Sequence, residues 1–253
     1  MKRNIFLSLF LSLLAVNAYA VPINLGTAST FGLLGGSSVT NTGLSVINGN
    51  VGSAPTPAVT GFLPGVVNGT LYTTPNTVTA QAQSDLTVAY NAAAGEASTM
   101  NLTGTDLGFY NLANPLGSGV YFFSSSAGLT GNLTLDSQGN PNAQWIFQIG
   151  STLTTATDST VTFINGATNK VFWQVGSSAT IGTNNVFAGN IMALESITLN
   201  GGTLNGRALA RNGAVTISSM ETVNSGAYAV PEPSSLVIGL MSIPSVLFFR
   251  RKK

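Results

Sequence analysis

Ser178-Ala179-Thr180-Ile181, Ser196-Ile197-Thr198-Leu199 and Ala214-Val215-Thr216-Ile217 repeat one phrase: a small residue, an apolar residue, threonine, an aliphatic residue. The steps from Thr180 to Thr198 and from Thr198 to Thr216 are equal. That period suits three short strands and three turns, one triangular coil of a solenoid. Side chains alternate along a strand, so Ile181, Ile197, Leu199, Val215 and Ile217 turn inward while the small residue and the threonine turn outward. The flanking sequence is a succession of short β-prone runs broken by Gly and Asn, which supply the turns. The expected fold is mainly β, a right-handed three-sided β-helix with one long helix along one side.

The same phrase extends upstream with looser spacing. Thr152-Leu153-Thr154 and, before it, Gly128-Leu129-Thr130 each stand further from the next rung than the three regular ones do. Ser38-Val39-Thr40 makes a further rung across the helix insertion. The candidate binding face is therefore Ser38, Thr40, Gly128, Thr130, Thr152, Thr154, Ser178, Thr180, Ser196, Thr198, Ala214 and Thr216, with Leu129 and Leu153 beneath it. Another side holds residues 119–123, 144–149, 171–175, 190–194 and 207–210. Several of these runs are apolar at successive positions, the mark of a strand covered on both faces. The helix, about residues 76–94, opens after Pro75-Asn76 and stops at Gly95. Val78, Ala82, Leu86, Ala89, Tyr90 and Ala93 form its apolar stripe, expected to cover Trp145, Phe147, Phe172 or their neighbours. On the third side Thr160/Thr162, Asn185/Phe187, Thr203/Asn205 and Thr222/Asn224 are expected to point out. Thr160, Thr162, Thr203, Asn205, Thr222 and Asn224 make a second-choice face.

Composition narrows the chemistry. Only 7% of residues are charged, against roughly 25% in ordinary soluble proteins, so hydroxyls and amides must wet the surface. There is no Cys, hence no disulfide framework, and no His, the commonest general base and metal ligand. Seven scattered carboxylates lie between residues 21 and 229. Glu195 and Glu221 could approach each other on adjacent coils, but no His or Lys joins them, which leaves two solvated edge charges. No enzyme activity, cofactor or metal is expected. With Lys170, Arg207 and Arg211 as cations, this stretch carries a net charge of −4, which removes the electrostatic basis for nucleic-acid binding.

Both ends read as addresses. Residues 1–20 have a charged start (Lys2, Arg3), an apolar run from Ile5 to Val16 and a small-x-small site at Ala18-Tyr19-Ala20, as a secretory signal peptide has. At the other end Val230-Pro231-Glu232-Pro233-Ser234 precedes an apolar run, Leu236 to Phe249, and Arg250, Arg251, Lys252 and Lys253. This segment, residues 230–253, resembles the PEP-CTERM sorting signal of Gram-negative bacteria, with Pro231, Glu232 and Pro233 as its motif. The resemblance implies transient anchoring in the inner membrane, recognition by an exosortase, and release into or attachment at an exopolysaccharide-rich exterior. A permanent single-span anchor is the alternative, although the run is short for a bilayer. The domain between the signals is residues 21–229, expected to be a monomer.

Stacked small-x-Thr rungs would form a grid, about 4.8 Å between strands and about 6.6 Å along them. β-Branching stiffens it and small neighbours keep it flat. Such a surface can hold water in a lattice-like layer and bind ice. Threonine is also simply a good strand residue, and glycan binding or structural stacking remain open readings.

Leu25-Gly26-Thr27-Ala28, Phe31-Gly32-Leu33-Leu34, Gly49-Asn50-Val51-Gly52, Asp85-Leu86 with Ala89-Tyr90, residues 171–176, Gly189-Asn190-Ile191 and residues 205–210 occur in this order. Together they resemble the secreted microbial ice-binding proteins with a discontinuous β-solenoid and a flanking helix, over residues 24–225. The resemblance implies antifreeze activity: thermal hysteresis, inhibition of recrystallisation or adhesion to ice. Of that family's Thr-Ala/Gly-x-Thr/Asn motif, Gly128-Leu129-Thr130 and Ala214-Val215-Thr216 match the last three positions, while Ala127 and Gly213 replace the first threonine. An extracellular matrix or glycan-binding adhesin of the same fold is the alternative function.

Overall fold

The structure, a computed structural model, describes residues 21–74, 76–166 and 170–226. The signal-peptide residues 1–20 and the sorting segment 230–253, with Pro231, Glu232 and Pro233, lie outside the described residues.

The chain first winds two coils, β1 (Phe31–Gly35), β2 (Ser38–Asn41) and β3 (Val46–Asn48), then β4 (Asn50–Ser53), β5 (Val59–Thr60) and β6 (Val66–Val67). Helix α1 (Thr77–Gly95) returns it to the far end of the stack, where β7 (Met100–Asn101) begins. From there the coils are β8 (Gly119–Phe123), β9 (Ala127–Leu129) and β10 (Asn132–Asp136), and β11 (Trp145–Ile149), β12 (Leu153–Thr155) and β13 (Thr160–Ile164). They continue through β14 (Val171–Val175), β15 (Ala179–Ile181), β16 (Asn185–Ala193), β17 (Ile197–Leu199), β18 (Gly202–Ala210), β19 (Ala214–Ile217) and β20 (Glu221–Asn224). All named strand pairs are parallel. One wall has the order β5-β2-β19-β17-β15-β12-β9. The first coil therefore stacks on the last, and the solenoid is discontinuous in sequence but continuous in space.

Strands β16 and β18 bend from one wall to the next at stacked glycines. Gly206 has φ +153°, and a Cβ there would overlap the Gly189 carbonyl oxygen. No side chain fits that approach.

Alternation along the helix-bearing wall separates two cores. Trp145, Phe147, Ile149, Trp173 and Val175 point into the solenoid. There Phe147 stacks on Trp173 at 4.0 Å, and Trp173 meets Phe187 at 4.9 Å. Val120, Ile146, Phe172, Met192 and Leu209 point out and meet Ala82, Leu86, Ala89, Tyr90 and Ala93 of α1. The helix thus covers Phe172, as expected, whereas Trp145 and Phe147 belong to the inner core. The helical stripe is as expected apart from its first turn: Val78 is exposed and Thr79 is buried in its place.

Local bonds fix the helix. Asn76 caps it through Val78 N at 2.8 Å. At its other end Gln148, projecting from β11, donates to the carbonyls of Ala93 and Glu96 at 2.8 and 2.7 Å, satisfying groups a helix terminus leaves open. Asp85 accepts from Thr27 N at 2.7 Å and from Gln81 at 2.8 Å, and these bonds hold its carboxyl below the usual carboxylate range. Gly26 permits the contact: it has φ +51°, and a Cβ would lie 2.5 Å from the Asp85 carboxylate.

The third wall differs from the expectation at one rung. Asn185 and Phe187 are buried, and Val186 is the exposed residue. Val186 pairs with Thr203, whereas on the neighbouring wall Thr180 pairs with Thr198, so the two walls step by lengths that differ by a single residue. A one-residue slip reverses the face of every side chain. Phe187 is consequently part of the aromatic core, and Asn185 accepts from Thr155 Oγ1 at 2.7 Å inside the corner.

Candidate functional site

The small-x-Thr wall is built on a row of buried aliphatics: Leu129, Leu153, Ile181, Ile197, Leu199, Val215 and Ile217 lie beneath it. Above them Thr154 pairs with Thr180, Thr180 with Thr198, Thr198 with Thr216, Thr216 with Thr40, and Thr40 with Thr60. The result is one unbroken column of threonines. Thr60 extends the expected face by one rung, and Ala58-Val59-Thr60 repeats the phrase of Ala214-Val215-Thr216.

The far end corrects the expected register. Gly128 pairs with Thr154, so glycine occupies the threonine position. The rung reads Ser126-Ala127-Gly128-Leu129, which shares Ser-Ala and a fourth-place aliphatic with Ser178-Ala179-Thr180-Ile181 and differs in kind only at the third place. This match was the available signal. Thr130 lies beyond the strand, where its N and Oγ1 both donate to Asp106 at 3.0 Å.

Beside the threonines runs the column Ser126, Thr152, Ser178, Ser196, Ala214, Ser38 and Ala58. The hydroxyls of Ser126, Thr152, Ser178 and Ser196 are engaged in bonds between coils. Ser126 and Thr152 share a hydrogen bond of 2.8 Å. Ser178 Oγ accepts from Ser196 N, and Ser196 Oγ from Ala214 N, both at 3.2 Å. Among the described residues, no protein group bonds to the hydroxyls of Thr154, Thr180, Thr198, Thr216, Thr40 or Thr60. Thr154 and Thr60 are exposed and the four between them half-buried. The serines thus tie the rungs together while the threonine hydroxyls are left to solvent.

Neither outward column carries a charge or an aromatic ring. Charges stand only at the margins. Glu195 is exposed at one corner, where Asn212 donates to it at 3.3 Å. Arg211 turns away to the helix wall, its guanidinium 4.7 Å from the Tyr90 ring centre. Glu221 occupies the opposite corner and does not meet Glu195. It is not a solvated edge charge: it is 2% exposed, and burial pushes its carboxyl up to about 7 against a hydrogen bond from the Gly201 backbone.

The second-choice face is less open. Thr160, Val186, Thr203, Thr222, Val46 and Val66 share a column. Thr160 and Thr162 both bond to Asn132, at 2.8 and 3.2 Å. Asn205 and Asn224 join Asn48 and Asn68 in an amide ladder with bonds of 2.8–2.9 Å. These amides bond to one another along the stack. Among the described residues no group of three or more acidic side chains could hold a metal ion.

The family described as ice-binding-like matches residues 33–224. An ice-binding protein of Nostoc sp. (strain HG1) is 52% identical over 240 residues, spanning 90% of this chain and 87% of that protein. One from Colwellia sp. is 34% identical over 228 residues, spanning 84% and 87%. Among solved structures, an ice binding protein from an Antarctic Biological Consortium superposes with a TM-score of 0.73 at 42% identity, covering 81% of this chain and 92% of that one. With its stacked coils, flanking helix and threonine wall, this chain belongs to the ice-binding-like family.

Proposed function

We propose that the protein adsorbs to ice through the small-x-Thr wall, slowing crystal growth or recrystallisation or holding cells against ice. The observation that carries this is the continuous column Thr154, Thr180, Thr198, Thr216, Thr40 and Thr60, whose hydroxyls bond to no other group among the described residues. Adjacent rungs lie about 4.8 Å apart and alternate residues about 6.6 Å apart, a spacing on which bound water can take a lattice-like order. Inter-coil bonds from Ser178 and Ser196 stiffen the grid, so little ordering entropy is lost on adsorption. The protein acts as a monomer and performs no catalysis.

Export through the N-terminal signal, exosortase processing at Pro231-Glu232-Pro233 and a final location outside a Gram-negative cell, in contact with exopolysaccharide, complete the proposal. The ends of the sequence support these steps.

Microscopy of ice crystals in solutions of the purified protein tests the function. Faceted crystals and slowed recrystallisation are expected. Thr180→Tyr raises a ring above the wall without touching the core and should abolish most hysteresis. Full activity in that variant would remove the wall from the mechanism.

A further inference from the structure

The wall does not stop at its threonines. Alternate residues of a strand face the same way, so two places beyond Thr198, Thr216 and Thr40 stand Asn200, Ser218 and Thr42, at the corner that leads to the third wall. The parallel ladder reaches this far. Asn200 N donates to Ile181 O at 3.1 Å, Ser218 N to Leu199 O at 2.9 Å and Thr42 N to Ile217 O at 3.0 Å. The corner column therefore keeps the rung spacing of about 4.8 Å and lies about 6.6 Å from the threonines. Leu199, Ile217 and Asn41, the residues between, are buried. Ser218 and Thr42 are exposed and Asn200 is half-buried.

The column divides its polar groups as the rest of the wall does. Thr42 Oγ1 donates to Ile217 O at 3.0 Å and ties one rung to the next. The Asn200 amide and the Ser218 hydroxyl bond to no other group among the described residues. They sit on adjacent coils, beside the equally unbonded hydroxyls of Thr198 and Thr216. Further along the stack the same column holds Gly182 and Ala156, which carry no polar side chain. One step outward, Met220 and Leu44 are 65% and 64% exposed. An apolar margin of this kind keeps bulk water from competing for the polar groups inside it.

We propose, resting on the reading of the wall as an ice-adsorbing face, that Asn200 and Ser218 are further ice-contacting residues outside the small-x-Thr phrase. The face is then three columns wide over the coils of β17, β19 and β2 and two columns wide toward Thr154, with Met220 and Leu44 as its rim.

Thermal hysteresis of the purified protein, with the thermal unfolding midpoint as the check on folding, tests this. The double substitution Asn200→Ala with Ser218→Ala shortens two surface side chains and should at least halve hysteresis at an unchanged midpoint. Ser218→Ala alone should lower it in part, and Ser218→Thr, which keeps a hydroxyl, should retain it. Ser218→Tyr should lower it most. Full hysteresis in the double alanine variant would overturn the proposal even if Ser218→Tyr were impaired, because the ring would then merely shade the threonine column. If Thr180→Tyr loses hysteresis while the double variant keeps it, the corner column alone falls. If the unsubstituted protein shapes no ice, the reading of the whole wall falls and this assignment with it.

Discussion

A serine and a threonine on the same rung do different work. Ser178 and Ser196 accept from the backbone of the next coil, while Thr180 and Thr198 keep their hydroxyls for solvent. The distinction follows from position: one column lies within reach of the next coil's amide, the other over a buried aliphatic row. Thr180→Val, which keeps the branched shape and removes the hydroxyl, should therefore retain part of the hysteresis, with the loss measured against Thr180→Tyr in a nanolitre osmometer. Gly128 offers the converse experiment. A Cβ there would lie 3.3 Å from Asp106 Oδ2, a tight but movable contact. Gly128→Thr should lengthen the threonine column by one rung and raise hysteresis, with stability falling by about 1 kcal/mol, at the lower end of overpacking costs. Unchanged hysteresis would put the working edge at Thr154.

At the scale of elements, the helix closes a second core that the coils cannot close alone. Leu86 is fully buried there with Phe172, Met192 and Leu209. Leu86→Ala should cost about 2–5 kcal/mol, seen as a lowered midpoint in thermal unfolding, while ice shaping near 0 °C persists because the threonine wall faces elsewhere. A loss of shaping with the fold intact would mean that the helix acts on the wall. The sequence reveals this division of labour unevenly. Evenly spaced coils identify the inward row and the outward threonines around Thr180, Thr198 and Thr216. The reading slips where the spacing changes, because period-two alternation does not report an inserted or missing corner residue. Thus Thr130 stands outside the column it was expected to extend, and Asn185 and Phe187 face inward. Apolar runs on the helix side show that both faces are covered, but not which of Trp145 and Ile146 meets the helix.

For the whole molecule, the critical joint lies where the first coil stacks on the last. The sequence leaves this joint hidden, since β2 and β19 are neighbours in space while most of the domain's sequence runs between Asn41 and Ala214. Glu221 lies in that joint: its backbone N donates to Ser45 Oγ at 3.1 Å, and Ser45 donates to Asn41 Oδ1 at 2.8 Å. Burial raises its carboxyl from 4.5 to about 7 in the folded protein. Between those values the native state holds a proton that the unfolded chain has released, so stability must fall as pH rises through this window and level off above it. The shift corresponds to about 3 kcal/mol at full effect. Asp85 works in the opposite sense at lower pH: its depressed carboxyl contributes stability that is lost only as the medium turns acidic. Denaturant unfolding at pH 5 and pH 8 separates the two. The native chain should be measurably weaker at pH 8, and Glu221→Gln should remove most of that difference by leaving a neutral group in the joint at both values. If the variant keeps the same pH dependence, the charge responsible lies elsewhere, and the union of first and last coils does not depend on a protonated Glu221.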